Sequence, residues 1–288
     1  MLALQLLFNG LVTGCALGVV AVTFSLVYST TKLFHVAHAG IFTLSGYIAW
    51  SLSRQGVPFI LAMAAAVAAS AAAGAAIQAW LYARLERKNA THLVILIASL
   101  GTLAVMQNII AAVYTPNILQ FSLPWAGEVV AAGGKVRLTA IQVVIALASL
   151  AVYGGLMWFA HRTILGKQMR AVASNPFLAE ITRLRPRRVH VLVMAIASAA
   201  VAVPGVLQPV DLGLQPYNGT TPLLTATIAM IAGGVGSITG AFVLAVVIAE
   251  LQNMSLLFIP GEWSIGVTFF IFVVFMLFRP TGLFAAAR

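Results

Sequence analysis

One long polar segment interrupts this chain, His161 to Val189, HRTILGKQMRAVASNPFLAEITRLRPRRV, and long apolar blocks flank it on both sides. Seven of the sixteen Lys and Arg residues lie in it (Arg162, Lys167, Arg170, Arg183, Arg185, Arg187, Arg188), against a single acid, Glu180. In hydrocarbon each such charge costs several kcal/mol or must reach the interface. The segment is therefore a loop on one face of a bilayer, and its positive charge assigns it to the cytoplasm.

The blocks around it carry the same message. Hydrophobic residues make up 61% of the 288 and charged residues 8%, whereas a soluble surface needs roughly a quarter of residues charged. The net charge of +10 does not point to nucleic acid, because the basic residues sit between apolar runs. They read as topology determinants with anionic lipid headgroups as neighbours. The one cysteine, Cys15, excludes an internal disulfide and a thiolate metal cluster, and reads as a small packing residue. The N-terminal apolar run has neither a basic region before it nor a small-x-small cleavage site, so it reads as a retained membrane helix.

Taken in order, the runs give an all-α polytopic membrane protein in one transmembrane domain, residues 1–288, with about seven to eight transmembrane helices. Leu2 to Tyr28 is long enough to cross about 30 Å of hydrocarbon, and Gly10, Gly14 and Gly18 stack on one face that lets a neighbouring backbone come close. After a polar break from Ser29 to His35, a second span runs through HAGIFTLSGYIAWSL. His35 and His38, three apart, suit a polar packing or gating role near the membrane edge. No Asp, Glu or Cys stands near them to complete a metal site. Phe59 to Tyr82 is an alanine-rich packing helix that ends in Trp80, Tyr82 and the basic turn Arg84, Arg87, Lys88. His92 to Tyr114 carries Gln107 and Asn108 deep enough that both should face protein or a pathway. Thr115 to Lys135 is an extramembrane loop with turns. Leu138 to Trp158 and Val189 to Leu207 flank the basic segment. Pro209 to Pro222 is a second loop on the side of the first. Leu223 to Leu251 is broken by Gly233, Gly234, Gly236 and Gly240, which predicts two half-helices meeting at a turn, with a tilted pair of spans as the alternative. Ser264 to Phe278 is the last span.

Alternating the spans outward from the basic segment puts Lys32, Arg84 to Lys88, Arg279 and Arg288 on its side as well. Thirteen basic residues then lie inside and three outside, Arg54, Lys135 and Arg137. That asymmetry places the N-terminus outside, provided the glycine-broken segment enters and leaves on one side.

The chain offers little for catalysis. Gly166-Lys167 lacks the earlier glycine and the following Ser/Thr of a phosphate-binding loop. Thr43-Leu44-Ser45-Gly46 is wrong in its first position for a Gly-x-Ser-Gly nucleophile element. The six acids are scattered one to a segment, so no carboxylate pair can form. Glu250, the one acid inside a span, fits either a helix-packing hydrogen bond or a place on a translocation path. A membrane chain without ATP machinery, a catalytic set or cofactor ligands reads as a transport subunit. In Gly166 to Glu180, apolar Met169, Val172, Ala173 and Phe177 recur at three to four residue steps, and Asn175-Pro176 breaks the pattern. This short amphipathic helix either sits in a groove of a soluble partner or lies on anionic lipid.

Several of these stretches have counterparts in a known family. FHVAHAGIFTLSGY, with His38 and Tyr47, SLGTLAVMQN, with Gly101, Gln107 and Asn108, and RTILGKQMRAVASNP, with Thr163, Gly166, Arg170, Ala171 and Asn175, are three of them. The most specific is IAGGVGSITGAFVLAVVIAELQ through FRPTGLF, with Gly233, Gly234, Gly236, Ser237, Gly240, Ala241, Glu250, Arg279, Pro280 and Gly282. On these the chain resembles the membrane permeases of bacterial branched-chain amino acid ATP-binding cassette importers, nearly end to end. The resemblance implies a permease of the plasma (inner) membrane, paired with a second, homologous permease. Two cytoplasmic ATPase subunits that bind ATP and Mg drive it, and a periplasmic or lipid-anchored binding protein delivers substrate. No cofactor is expected in this chain. The resemblance also implies that residues 161–189 are the coupling loop, with Gly166, Met169, Arg170, Ala173, Asn175 and Phe177 as the ATPase contact. His35, His38, Gln107, Asn108 and Glu250 are the candidates for the translocation pathway. Arg183 and Leu184 replace the family's Gly-Ile pair, so the turn leaving the coupling element differs. Branched-chain or other hydrophobic amino acids are the expected cargo. Urea, short amides and aromatic acids stay open because the element around His35 is altered. An intramembrane enzyme would need a reactive group the chain does not offer, and a stand-alone secondary transporter would more usually carry a buried acid and roughly twice the spans.

The topology is tested by single cysteines at Ser174 and Ser122, which should react with impermeant thiol reagents from opposite sides of intact cells. Reaction of both from the outside would end this topology.

Overall fold

The computed structural model of the chain describes residues 2–132, 137–182, 184–279 and 282–284. Lys135, Arg183, Pro280 and Arg288, which entered the charge count or the family motifs, lie outside the described residues. The helices are α1 (Leu2–Thr31), α2 (His38–Arg54), α3 (Phe59–Arg87), α4 (His92–Tyr114), α5 (Ala140–Arg162), α6 (Ile164–Ser174), α7 (Pro176–Ile181), α8 (Pro186–Leu212), α9 (Thr220–Gly233), α10 (Ile238–Ser255) and α11 (Ser264–Phe278). Among the described residues, seven helical segments are long and apolar enough to cross a membrane. A small antiparallel hairpin, β1 (Val129–Ala132) with β2 (Arg137–Thr139), adds strand to an otherwise helical chain.

The hub is α1, in which every residue from Gly14 to Val27 is buried. Its glycine face receives α10 in antiparallel register: Gly10 lies against Glu250, Gly14 against Val246 and Gly18 against Phe242. A Cβ on Gly14 would stand 2.9 Å from the Val246 Cα, so the two backbones approach as closely as only small residues allow. The alanine-rich α3 contributes less core than its composition predicts. Only one row of it is buried, Ala62, Ala66, Ser70, Gly74, Gln78 and Tyr82, and it packs on α8. A row at spacing four drifts around an α-helix of 3.6 residues per turn. The wider π turn at Ile77–Tyr82 corrects that drift and keeps Gln78 and Tyr82 on the inner side.

The packing scheme of the first four helices recurs in the last four. As α3 packs on α8, so α10 packs on α1; as α2 packs on α8, so α9 packs on α1; α2 contacts α3 and α4 as α9 contacts α10 and α11. The two short helices run in opposite senses. The far end of α2 reaches the loop after α4, where Trp50 Nε1 donates to the Gln120 carbonyl at 3.0 Å. The far end of α9 reaches the opposite face, where the amides of Leu283 and Phe284 bond the carbonyls of Ala232 and Gly233. Such inverted halves are a recurrent transporter plan, with α5 to α7 as the connection between them.

Two expectations change in detail. The segment around His38 is not a full span: α2 has 17 residues and starts beside Thr23, eight residues before the end of α1, or about 12 Å inside it at 1.5 Å per residue. The glycine break lies where expected, at residues 234–237, with Gly234 and Gly236 at φ of 102° and 88°. Its arms are unequal, however: α9 has 14 residues, while α10, with 18, is long enough to cross. The loops after α4 and α8 lie on one side, since Leu119 and Leu214 form a β-bridge.

The glycine face generates a prediction. Gly14→Leu must push α10 away from the hub, an overpacking that costs about 1–3 kcal/mol. Gly155→Leu, at an exposed site with open space around it, should leave thermal unfolding of the purified chain unchanged. Equal midpoints for the two variants would remove α1–α10 contact as a determinant of the fold.

Candidate functional site

The first turns of α2 and α9 meet inside the helical body. The Gly219 amide donates to Thr43 Oγ1 at 3.0 Å, and Gln107 Nε2 on α4 donates to Thr220 Oγ1 at 2.8 Å. The amide of Ala37, just before α2, donates to Ser99 Oγ at 3.0 Å. Helix N-termini present unpaired N–H groups and partial positive charge, so the junction gathers two such ends with side-chain oxygens to meet them.

Beneath it lies a histidine pair, fully buried (His35 0% and His38 1% exposed). His35 Nδ1 and Tyr82 Oη are 2.8 Å apart, and Tyr82 Oη donates to Ser99 Oγ at 2.8 Å. With that hydroxyl proton committed, His35 must carry its proton on Nδ1 and donate it to tyrosine. His38 Nε2 is 3.0 Å from Thr23 Oγ1, whose own proton goes to the carbonyls of its helix. His38 therefore donates from Nε2. His35 Nε2 and His38 Nδ1 are then lone pairs without a partner among the described residues, in rings whose centroids are 5.5 Å apart. The pair ties the entry to α2 onto α1, α3 and α4.

A cavity of about 460 Å³ opens beside the first turn of α9. Its polar lining is hydroxyl and amide, including Thr13, Gln208, Gln215, Asn218, Thr221 and Thr225, and Leu17, Phe42 and Leu212 supply apolar surface. It suits a small solute with both polar and apolar parts. Sequence reasoning did not single these residues out. Their signal was the run of amides and hydroxyls from Gln208 to Thr225 in a chain otherwise poor in them.

The expected pathway residues divide. His35, His38 and Gln107 converge on the junction. Asn108 does not: it lies on the exposed side of α4, bonded at 2.8 Å to the carbonyl of Ala104 in its own helix. The buried row of α4 runs Ile95, Ser99, Leu103, Gln107, Ile110, and one further residue rotates Asn108 about 100° away. Glu250 is also apart, half-buried against Gly10 between α1 and α10.

The element expected to couple, residues 161–189, divides too. Thr163 caps α6, accepting from the Gly166 amide, and Asn175 caps α7, accepting from the Leu178 amide with Pro176 at the first helical position. Gly166 and Met169, expected to meet a partner, are buried instead. Gly166 lies on the carbonyls of Phe159 and Ala160, and Met169 joins a cluster with Val172, Leu26, Val27 and Tyr82. Ala173 is half-buried. The strongly amphipathic face of α6 belongs to this chain's own core, because that core is where apolar surface already waits. Arg170 donates to the Ala160 carbonyl and so caps the last turn of α5. What faces outward is α7, with Phe177, Leu178 and Ile181 exposed by 71%, 57% and 65%.

Comparison with known proteins bears on all of this. A family model described as the permease component of branched-chain amino acid transport systems matches residues 6–276. The high-affinity branched-chain amino acid transport permease LivH of Salmonella typhimurium is 25% identical over 293 residues, covering 97% of this chain and 94% of that protein. BraD of Pseudomonas aeruginosa, with the same description, is 26% identical over 297 residues, covering 97% and 95%. The xylose transport permease XylH of Escherichia coli is 33% identical over 126 residues, 41% of this chain and 32% of its own. Among solved structures, PsaBC from Streptococcus pneumoniae in complex with Fab shares the fold at a TM-score of 0.52 and 14% identity, covering 96% of this chain and 91% of that one.

Proposed function

This chain belongs to the family of branched-chain amino acid transport permeases, and we propose that it passes branched-chain or other hydrophobic amino acids into the cytoplasm along the α2–α9 junction. It is a multi-pass permease component of an ATP-binding cassette importer of the bacterial inner membrane, and not itself the hydrolytic subunit. The observation that carries the reading is the family match over residues 6–276. Three features of the geometry support the route. The half-helix ends suit a carboxylate, the adjoining cavity offers polar and apolar walls together, and among the described residues no Asp, Glu, Lys or Arg lines it to trap a zwitterion.

The partners follow from the surfaces left open. A second, homologous permease covers the exposed apolar sides of α4 and α11, which carry Ile97, Val105, Ile109, Phe270 and Leu277. Gly101 and Asn108 lie on that α4 face, where nothing stands within 4 Å of a Cβ on Gly101. In the pair Asn108 regains the protein environment its depth calls for. The ATPase subunits dock on α7 through Phe177, Leu178 and Ile181, while Met169 and Val172 hold the docking element to the permease. A binding protein meets the outer loops.

Phe177→Asp tests the contact. A charge in an apolar seam should cut ATPase recovered per permease on the order of tenfold and leucine uptake with it, at unchanged permease level. Met169→Asp should instead lower the permease level itself, since that side chain is internal. Undiminished ATPase recovery with normal uptake in Phe177→Asp would remove the docking assignment. Uptake of urea or a short amide in place of leucine would replace the substrate.

A further inference from the structure

The cytoplasmic ends of α3 and α8 leave a groove of about 500 Å³ between them. Its rim is Arg87 from α3 and Arg187 and Arg188 from α8, all exposed. Its floor is apolar: Ala79 and Ala83 on one side, Val191 and Leu192 on the other. Arg87 is fixed at the foot of the rim by an Nε–H bond of 3.1 Å to the Ala83 carbonyl. Glu86 neighbours Arg187 and offsets one charge, so the rim stays basic.

We propose that this groove binds one anionic phospholipid, its phosphate on the three arginines and an acyl chain along the floor. Basic pockets between transmembrane helices on the cytoplasmic side hold such headgroups. Depth decides the occupant. Ala79 lies about two helical turns below Arg87, on the order of 10 Å deeper, and Trp80, 70% exposed beside it, marks the interfacial belt. An acidic segment of a soluble partner matches the rim but does not reach that floor; a lipid matches both. The lipid would also bridge α3 and α8, which pack through the narrow row at Ser70 and Gly74.

The test is a titration of the full-length chain in neutral detergent with phosphatidylglycerol and, separately, phosphatidylcholine, read by native mass spectrometry. Phosphatidylglycerol should be retained and phosphatidylcholine not. The double variant Arg187→Gln/Arg188→Gln should bind phosphatidylglycerol about tenfold or more weakly, at about 1 kcal/mol per basic residue. Arg54→Gln/Arg137→Gln, an equal loss of charge at the opposite end of the helices, should bind within about twofold of the parent, the expectation for bulk attraction screened beyond a Debye length. Ala83→Trp, which fills the floor and keeps every charge, should also lose the lipid and guards against a folding defect in the arginine variant. Equal binding of the two lipids, equal loss in the two double variants, full binding by Ala83→Trp, or displacement by inorganic phosphate at concentrations that leave the chain folded would each overturn the assignment.

Discussion

A helix that ends inside a membrane exposes backbone N–H groups where no water can meet them. Among the described residues, α2 and α9 begin inside the helical body, and their starts are placed against each other. Ser99, Thr43, Gln107 and Thr220 supply the oxygens and the amide that the junction needs. Each of these comes from an otherwise apolar helix. The hub of glycine contacts along α1 follows from the same constraint, because two inverted halves can meet at one point only if their long helices approach closely.

The junction is joined by close packing to α6. Tyr82, which anchors His35, packs in the same cluster as Met169 and Val172 of α6. That cluster continues into α1 through Leu26 and Val27. A push on α7 therefore meets continuous close packing up to the entry of α2, with the π turn of α3 as the least regular element on the way. This contiguity puts the buried face of α6, and not only the exposed face of α7, in packed line with the entry to α2.

Much of the fold could be read from residues because hydrocarbon imposes simple rules. The length of apolar runs marked most spans, and spacing four in Gly10, Gly14 and Gly18 marked a face where α10 lies. What stayed hidden depends on three-dimensional partners. The short α2 reads as a span because its 17 apolar-rich residues follow a polar break, and nothing local says that residues 32–37 turn back into the body. Amphipathicity in Gly166 to Glu180 marked Met169 and Val172 for burial but could not say whose core they join, and it grouped with them Phe177, which is exposed. Gln107 and Asn108 are neighbours in sequence with the same depth, and only the packing of α4 on α2 separates them.

The central claim is that solute crosses where the two half-helices meet. In a Cys15→Ala background, which removes the one native thiol, Thr221→Cys places a thiol at the mouth of α9 in the polar cavity. An impermeant maleimide applied to intact cells should modify it from the outside, and saturating leucine with the importer's partners present should slow that reaction. A Thr221→Cys thiol that reacts only after denaturation, in every transport state, would contradict the account.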